Sequence, residues 1–115
     1  MTREHAGALL VLPYPLTYAL ARRIADLAAT SRLPAVYPFR ECVEAGGLMA
    51  YGANPTDMFR RAAYFVDKIL TGAKPADLPV EQPTKFELII NAKTARDLAL
   101  TIPESVRQRA DQIVE

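Results

Sequence analysis

Ala8-Leu9-Leu10-Val11-Leu12 is an unbroken apolar run halted by Pro13. A strand with one wet face alternates polar and apolar residues, whereas a short run with no polar position is the pattern of a parallel-sheet strand covered on both faces. Parallel strands cannot be joined by a tight hairpin and need a long crossover, usually a helix. The run therefore commits the chain to an α/β arrangement.

Helical spacing follows at once. Pro15 suits a first turn, and Leu16, Leu20, Ile24 and Leu27 recur on one face while Arg22, Arg23 and Asp26 lie elsewhere. Leu33-Pro34-Ala35-Val36-Tyr37 then reads as a second short strand. The three pieces make a β-α-β unit whose crossover should be right-handed. The fold class predicted is α/β, a parallel β-α-β core with flanking helices.

Glu44-Ala45-Gly46-Gly47 is a turn, since paired glycines reach backbone angles closed to side chains, and Leu48 to Tyr51 extends as a short strand. The next helix has the clearest boundaries in the chain. Asn54 is its N-cap, Pro55 its first helical residue, Asp57 lies in the positive first turn and Gly72 stands beyond its end. Met58, Ala62, Phe65 and Ile69 form one apolar row, with Phe59, Val66 and Leu70 beside it, so this helix must cover something broad.

Residues 74–83 hold three prolines and no periodicity, the composition of an extended strap. Residues 85–91 alternate as a strand with Phe86, Leu88 and Ile90 inward, and Asn91 caps a short helix through Leu98. A last helix is predicted from Pro103, where Thr101 and Glu104 have capping-box spacing and Val106, Ala110 and Ile113 make a narrow stripe.

Composition excludes several functions. The 115 residues suit one domain that buries roughly two thirds of its unfolded surface. Fourteen Lys and Arg against 13 Asp and Glu leave a net charge of +1, which offers no broad footprint for nucleic acid or anionic lipid. The single Cys42 forms no internal disulfide and the single His5 has no second ligand at metal-binding spacing, so no cofactor or metal is expected. Gly46-Gly47 lacks the spacing and the lysine of a phosphate-binding loop. No pair of carboxylates converges where a strand tip meets a helix start, so acid-base catalysis has no named candidates and the chain is read as no enzyme. Met1 to Leu12 superficially mimics a signal peptide, but Glu4 and the missing small-residue cleavage site argue against one.

Ligands of open α/β sheets sit outside the carboxyl ends of the strands. The tips after Leu12 and Tyr37 hold Tyr14 and Phe39-Arg40. Tyr14 can stack on an aromatic ligand or be a partly exposed loop residue. Arg40 can pair with a ligand carboxylate through its planar fork, or simply pair with Glu41 at the surface.

Leu9-Leu10-Val11-Leu12-Pro13, Arg32-Leu33-Pro34-Ala35-Val36-Tyr37, residues 43–52 (Val-Glu-Ala-Gly-Gly-Leu-Met-Ala-Tyr-Gly) and Leu78-Pro79-Val80-Glu81-Gln82-Pro83 together resemble the C-terminal third of ABC transporter substrate-binding proteins of the tryptophan and tyrosine type. That family is similar to type I periplasmic binding proteins, in which two α/β lobes hold a small ligand in the cleft between them. The resemblance implies a partial, truncated lobe: residues 1–47 and 84–115 from the C-terminal lobe, and residues 48–78 from the opposite lobe. It implies a small-molecule ligand such as an amino acid, an importer permease as partner, and a periplasmic location that a chain without a signal peptide would not reach, leaving it cytoplasmic as written. It also places Tyr51 near the cleft, where hinge packing is its alternative role, so Tyr14, Phe39, Arg40 and Tyr51 form the candidate ligand set. A helix parted from the sheet it covers would leave its apolar rows in water at about 25 cal/mol per Å². A homo-oligomer, such as a swapped dimer, is therefore expected. The competing expectation is a self-associating structural remnant that binds no ligand.

Overall fold

The computed structural model describes residues 5–115, so the signal-like start at residues 1–4 lies outside the described residues. Five strands, β1 (Leu9–Leu10), β2 (Ala35–Tyr37), β3 (Met49–Ala53), β4 (Phe86–Asn91) and β5 (Gln112–Val114), form one sheet in sequence order. β1 runs parallel to β2, β2 to β3 and β4 to β5, with Leu10 opposite Val36, Tyr37 opposite Ala50 and Ile90 opposite Ile113. Six helices accompany them: α1 (Pro15–Ala19), α2 (Ala21–Thr30), α3 (Arg40–Glu44), α4 (Pro55–Leu70), α5 (Ala92–Asp97) and α6 (Glu104–Arg107). The mixed α/β class with a largely parallel sheet is the one the apolar run implied, but the run itself is not covered on both faces: β1 lies at the sheet edge, and Val11 is buried while Leu10 and Leu12 are 68% and 67% exposed.

The chain divides into two compact units. One runs to Gly52 and resumes at Glu87; the other is the excursion Ala53–Phe86.

The first unit holds the core. Val11, Ala21, Ala25, Ala28, Ala35, Tyr37, Cys42, Val43, Ala50 and Ile89 form one buried cluster. The crossover is not the single leucine-striped helix that the sequence suggested. The backbone breaks at Leu20, which ends α1 and starts α2, and the face turned to the core is Ala21, Ala25 and Ala28. Small side chains let α2 lie close on the strands, with Ile24 half-buried beside them, while Leu16 and Leu27 are exposed.

β4 departs from its expected alternation. Phe86 is exposed, and consecutive Ile89 and Ile90 are both buried. Neighbouring strand residues point to opposite faces, so this strand is covered on both sides. Asn91 then does three jobs. Its side-chain oxygen accepts the Thr94 N–H at 2.9 Å to cap α5, its amide donates to the Val43 carbonyl at 3.5 Å, and its backbone N–H donates to the Leu48 carbonyl at 2.8 Å.

The last helix of the sequence reading is corrected. α6 is a single turn without a side-chain cap, and Ile113 belongs to strand β5. The stripe Val106, Ala110, Ile113 was too narrow to set a period. What fixes the strand is a reciprocal link across the loop: the Leu88 N–H donates to Asp111 Oδ2 and the Asp111 N–H donates to the Leu88 carbonyl, both at 2.8 Å.

The second unit is α4 and its strap. Asn54 Oδ1 accepts the Thr56 N–H at 2.9 Å, Pro55 opens the helix and Gly72 beyond it has φ 110°, as its sequence boundaries required. The strap contains one 3₁₀ turn, Pro75–Asp77. Arg61 clamps it with a two-pronged ion pair to Glu81, Nε to Oε2 being 2.7 Å, and the guanidinium stacks 4.1 Å from the Tyr64 ring centroid. That fork holds the Glu81 carboxyl below its usual range. No residue of α4 is buried.

Burial has a pH signature in the core. Tyr37 is 2% exposed, and desolvation together with the nearby Cys42 pushes its phenol from 10.0 up to about 12. Burial raises the Cys42 thiol as well. The folded state thus keeps protons that the unfolded chain releases, so stability is full below pH ~9 and falls as pH rises toward ~12. Thermal melts followed by circular dichroism should show this alkaline loss. In Tyr37→Phe the part between pH ~10 and ~12 should disappear, leaving the smaller Cys42 limb.

Candidate functional site

Registers of the parallel strands bring the sequence-predicted residues to one end of the sheet. Leu10 stands beside Val36 and Tyr37 beside Ala50, so the chain leaving β1 toward Tyr14, the chain leaving β2 toward Phe39 and the Tyr51 position of β3 all lie at the carboxyl ends of neighbouring strands. This is the edge at which α/β sheets take ligands.

Each position is locally fixed. Tyr14 precedes α1 in an extended conformation, φ −152°. Its backbone N–H donates to Thr17 Oγ1 at 3.1 Å, and that hydroxyl donates to the Leu12 carbonyl at 2.9 Å, which ties the turn after β1. The Tyr14 ring is 65% exposed. Phe39 precedes α3 in extended backbone and packs half-buried on the core. Tyr51 is 57% exposed on β3.

Tyr18, which sequence reasoning missed, belongs to the same edge. Its ring meets Phe39 edge to face at a centroid distance of 5.2 Å, and nearly half of Tyr18 is exposed. The signal was available: Tyr18 lies one helical turn beyond Tyr14, whose carbonyl accepts the Tyr18 N–H at 3.0 Å.

Arg40 has other engagements. It donates to Gln112 Oε1 on β5, and its Nε lies 3.4 Å from Glu44 Oε1. Its intrahelical partner is therefore Glu44, one turn on, rather than the adjacent Glu41, whose side chain points elsewhere because successive helical residues diverge by about 100°. Glu41 Oε2 is shielded from solvent and has no hydrogen-bond partner among the described residues. Such an orphaned acceptor costs about 1–3 kcal/mol.

Gly52 sets how closely this edge packs. A Cβ there would sit 2.2 Å from the Pro38 carbonyl oxygen, so only glycine lets β3 run against the turn that carries Phe39.

The chemistry available is contact and stacking. Cys42 is 1% exposed with its thiol pushed up, the opposite of an activated nucleophile. No group of three metal-ligating side chains exists among the described residues, and no helix among them is long and apolar enough to cross a membrane. A groove of about 1040 Å³ lies within the second unit, between α4 and the strap, lined by Met58, Phe65, Ile69 and Leu78 with the Arg61–Glu81 pair at its side. It is open, and no residue of the helix that forms it is buried, which marks a packing surface more than a ligand cavity.

The family profile for ABC transporter substrate binding proteins matches residues 1–114. The chain belongs to this family. Among solved structures it is similar to a conserved domain protein from Vibrio cholerae, at 25% identity and TM-score 0.89 over 96% of this chain and 37% of that one. It is also similar to an ABC domain from Streptococcus pneumonia in complex with L-Trp, at 28% identity and TM-score 0.88 over 98% of this chain and 39% of the other. A ligand-free, open substrate binding protein with adhesive properties from Clostridium difficile shares the fold at 20% identity and TM-score 0.60, over 93% of this chain and 36% of that one. No curated relative matches. The chain thus spans well under half the length of each of these three proteins.

Gly52→Ala should cost about 1–3 kcal/mol or more, because the obstacle is a backbone carbonyl and not a flexible side chain. Chemical denaturation checks this; an unchanged midpoint would mean that β3 does not pack so closely.

Proposed function

We propose that this chain is a solute-binding component of a bacterial ABC importer, periplasmic in its working context, that grips a small molecule such as an amino acid between two lobes by hinge closure and performs no chemistry. The observation that carries the reading is the aromatic edge: Tyr14, Tyr18 and Tyr51 present exposed rings, with half-buried Phe39 among them, at the carboxyl ends of parallel strands in a member of a substrate-binding family. Aromatic faces supply large apolar contact with hydroxyl handles, which suits a ligand with a planar or branched side chain. A relative with L-Trp bound is consistent with that ligand class.

On this reading the unit that runs to Gly52 and resumes at Glu87 belongs to one lobe and the excursion Ala53–Phe86 to the opposite lobe, the boundary lying past residue 47 because Met49 and Ala50 pair with β2. The two crossings fall near Gly52 and the strap, and an importer permease is the partner. Arg40 already gives Nη2 to Gln112 and holds Nε near Glu44, so a ligand carboxylate would meet the remaining N–H groups of its guanidinium.

One wall of a cleft forfeits about half the contacts, which is several kcal/mol and orders of magnitude in affinity. This chain should therefore bind L-Trp with a dissociation constant of about 1 mM or weaker. Amide shifts in a ¹⁵N–¹H NMR titration should concentrate around Tyr14, Phe39 and Tyr51, and Tyr14→Ala with Tyr51→Ala should remove them. Micromolar binding, or shifts that ignore both tyrosines, would contradict the proposal.

A second reading, a self-associating remnant without a ligand, draws on a different observation: α4 carries apolar rows and no buried residue.

A further inference from the structure

The candidate edge also receives β5. β4 ends where β3 begins, the Asn91 N–H donating to the Leu48 carbonyl, so β4 and its parallel neighbour β5 start at the edge where β1 to β3 finish. Gln112 opens β5. Side chains two apart share one face of a strand, and Val114 packs on the core cluster that contains Cys42 and Val43 of α3. Gln112 therefore projects on the α3 side, where its Oε1 accepts a hydrogen bond from Arg40 Nη2.

We propose that Gln112 is a positioning residue for ligand recognition: it holds the Arg40 guanidinium so that its remaining donors face the carboxylate of a bound solute. The inference rests on the solute-binding reading and deepens it, by naming a residue that sets the preference for a carboxylate-bearing ligand.

An arginine side chain is long and rotates freely, and ordering it at the moment of binding costs conformational entropy. Arg40 is ordered beforehand from two directions. Glu44, one turn along α3, lies 3.4 Å from Nε, and Gln112 comes from β5, 72 residues along the chain. Two acceptors on separate elements fix the plane of the guanidinium, and Nη1 with the second hydrogen of Nη2 is left for a ligand.

The chemistry of the second acceptor matters as much as its place. The Glu44 carboxylate already offsets part of the Arg40 charge. A second carboxylate would cancel more of it, whereas the neutral amide of Gln112 takes the hydrogen bond and leaves positive charge for an anion. Nearby acids are turned elsewhere: Asp111 Oδ2 accepts the Leu88 N–H at 2.8 Å, and Glu41 Oε2 meets no donor among the described residues.

Titration of the chain with L-Trp and with L-tryptophanamide, followed by the amide shifts around Tyr14 and Tyr51, tests this, because the two compounds differ only in a neutral amide for the carboxylate. L-Trp should bind at least about fivefold tighter. Gln112→Met keeps the bulk and removes the acceptor, and should reduce that ratio at least about twofold. Gln112→Glu keeps the acceptor and adds a charge, and should bring the ratio to about one, as should Arg40→Gln. Gln112 is exposed, so its variants keep the fold, which a circular dichroism melt verifies. A Gln112 that only ties β5 to α3 would change both affinities together and leave the ratio alone. A wild-type ratio near one, or a ratio that survives Gln112→Met or Gln112→Glu, overturns the inference and leaves solute binding standing. Absence of shifts with both compounds refutes the solute-binding reading itself, and the inference with it.

Discussion

Every residue in the main core cluster comes from one of the two units, and it is built from small side chains around one large one. Ala25, Ala28, Ala35 and Ala50 bring helix and strands close, and Tyr37 fills the space they leave, beside Cys42 and Val43. Packing of this kind tolerates little change in volume in either direction. The rest of the structure follows from it: Gly47 has no room for a Cβ against the Tyr37 ring, and Asn91 reaches from the end of β4 to the Val43 carbonyl. The candidate site sits where these same strands end, so its geometry is inherited from the core.

The excursion Ala53–Phe86 obeys the opposite rule. It is locally well specified, with a capped helix, a proline strap and an Arg61–Glu81 clamp, yet it contributes no buried hydrophobic residue. Local signals are enough to form a helix, but most helical stability in proteins comes from packing an apolar face. About forty residues is also the size below which a unit seldom supports itself. An element of this kind reads as one side of an interface.

The sequence was most legible where structure is local. Asn54, Pro55 and Gly72 bounded α4, and Gly46-Gly47 marked the turn, because caps and positive φ values are demanded by the backbone itself. It was least legible where partners are distant. Leu16, Leu20 and Leu27 made the better stripe on paper, but the sheet selected the alanine face of α2, since a strand pair that close has no room for leucine. Ile113 looked helical until Asp111 is seen linked to Leu88, a contact across 23 residues. At the candidate edge, chain order alone located Tyr14, Phe39 and Arg40 at strand tips. Tyr18 and the engagement of Arg40 with Gln112 depend on rotamers and on β5, which no local pattern encodes.

The claim beneath all of this is that stability resides in one unit and that the excursion borrows none of its core. Native-state amide hydrogen exchange on a dilute sample measures it residue by residue. Amides of β2 and β4 should exchange only through global unfolding, while those of α4 should exchange through far cheaper local opening and at rates that barely respond to Tyr37→Phe. Equal protection of α4 and the central strands, falling together when the core is weakened, would contradict the account.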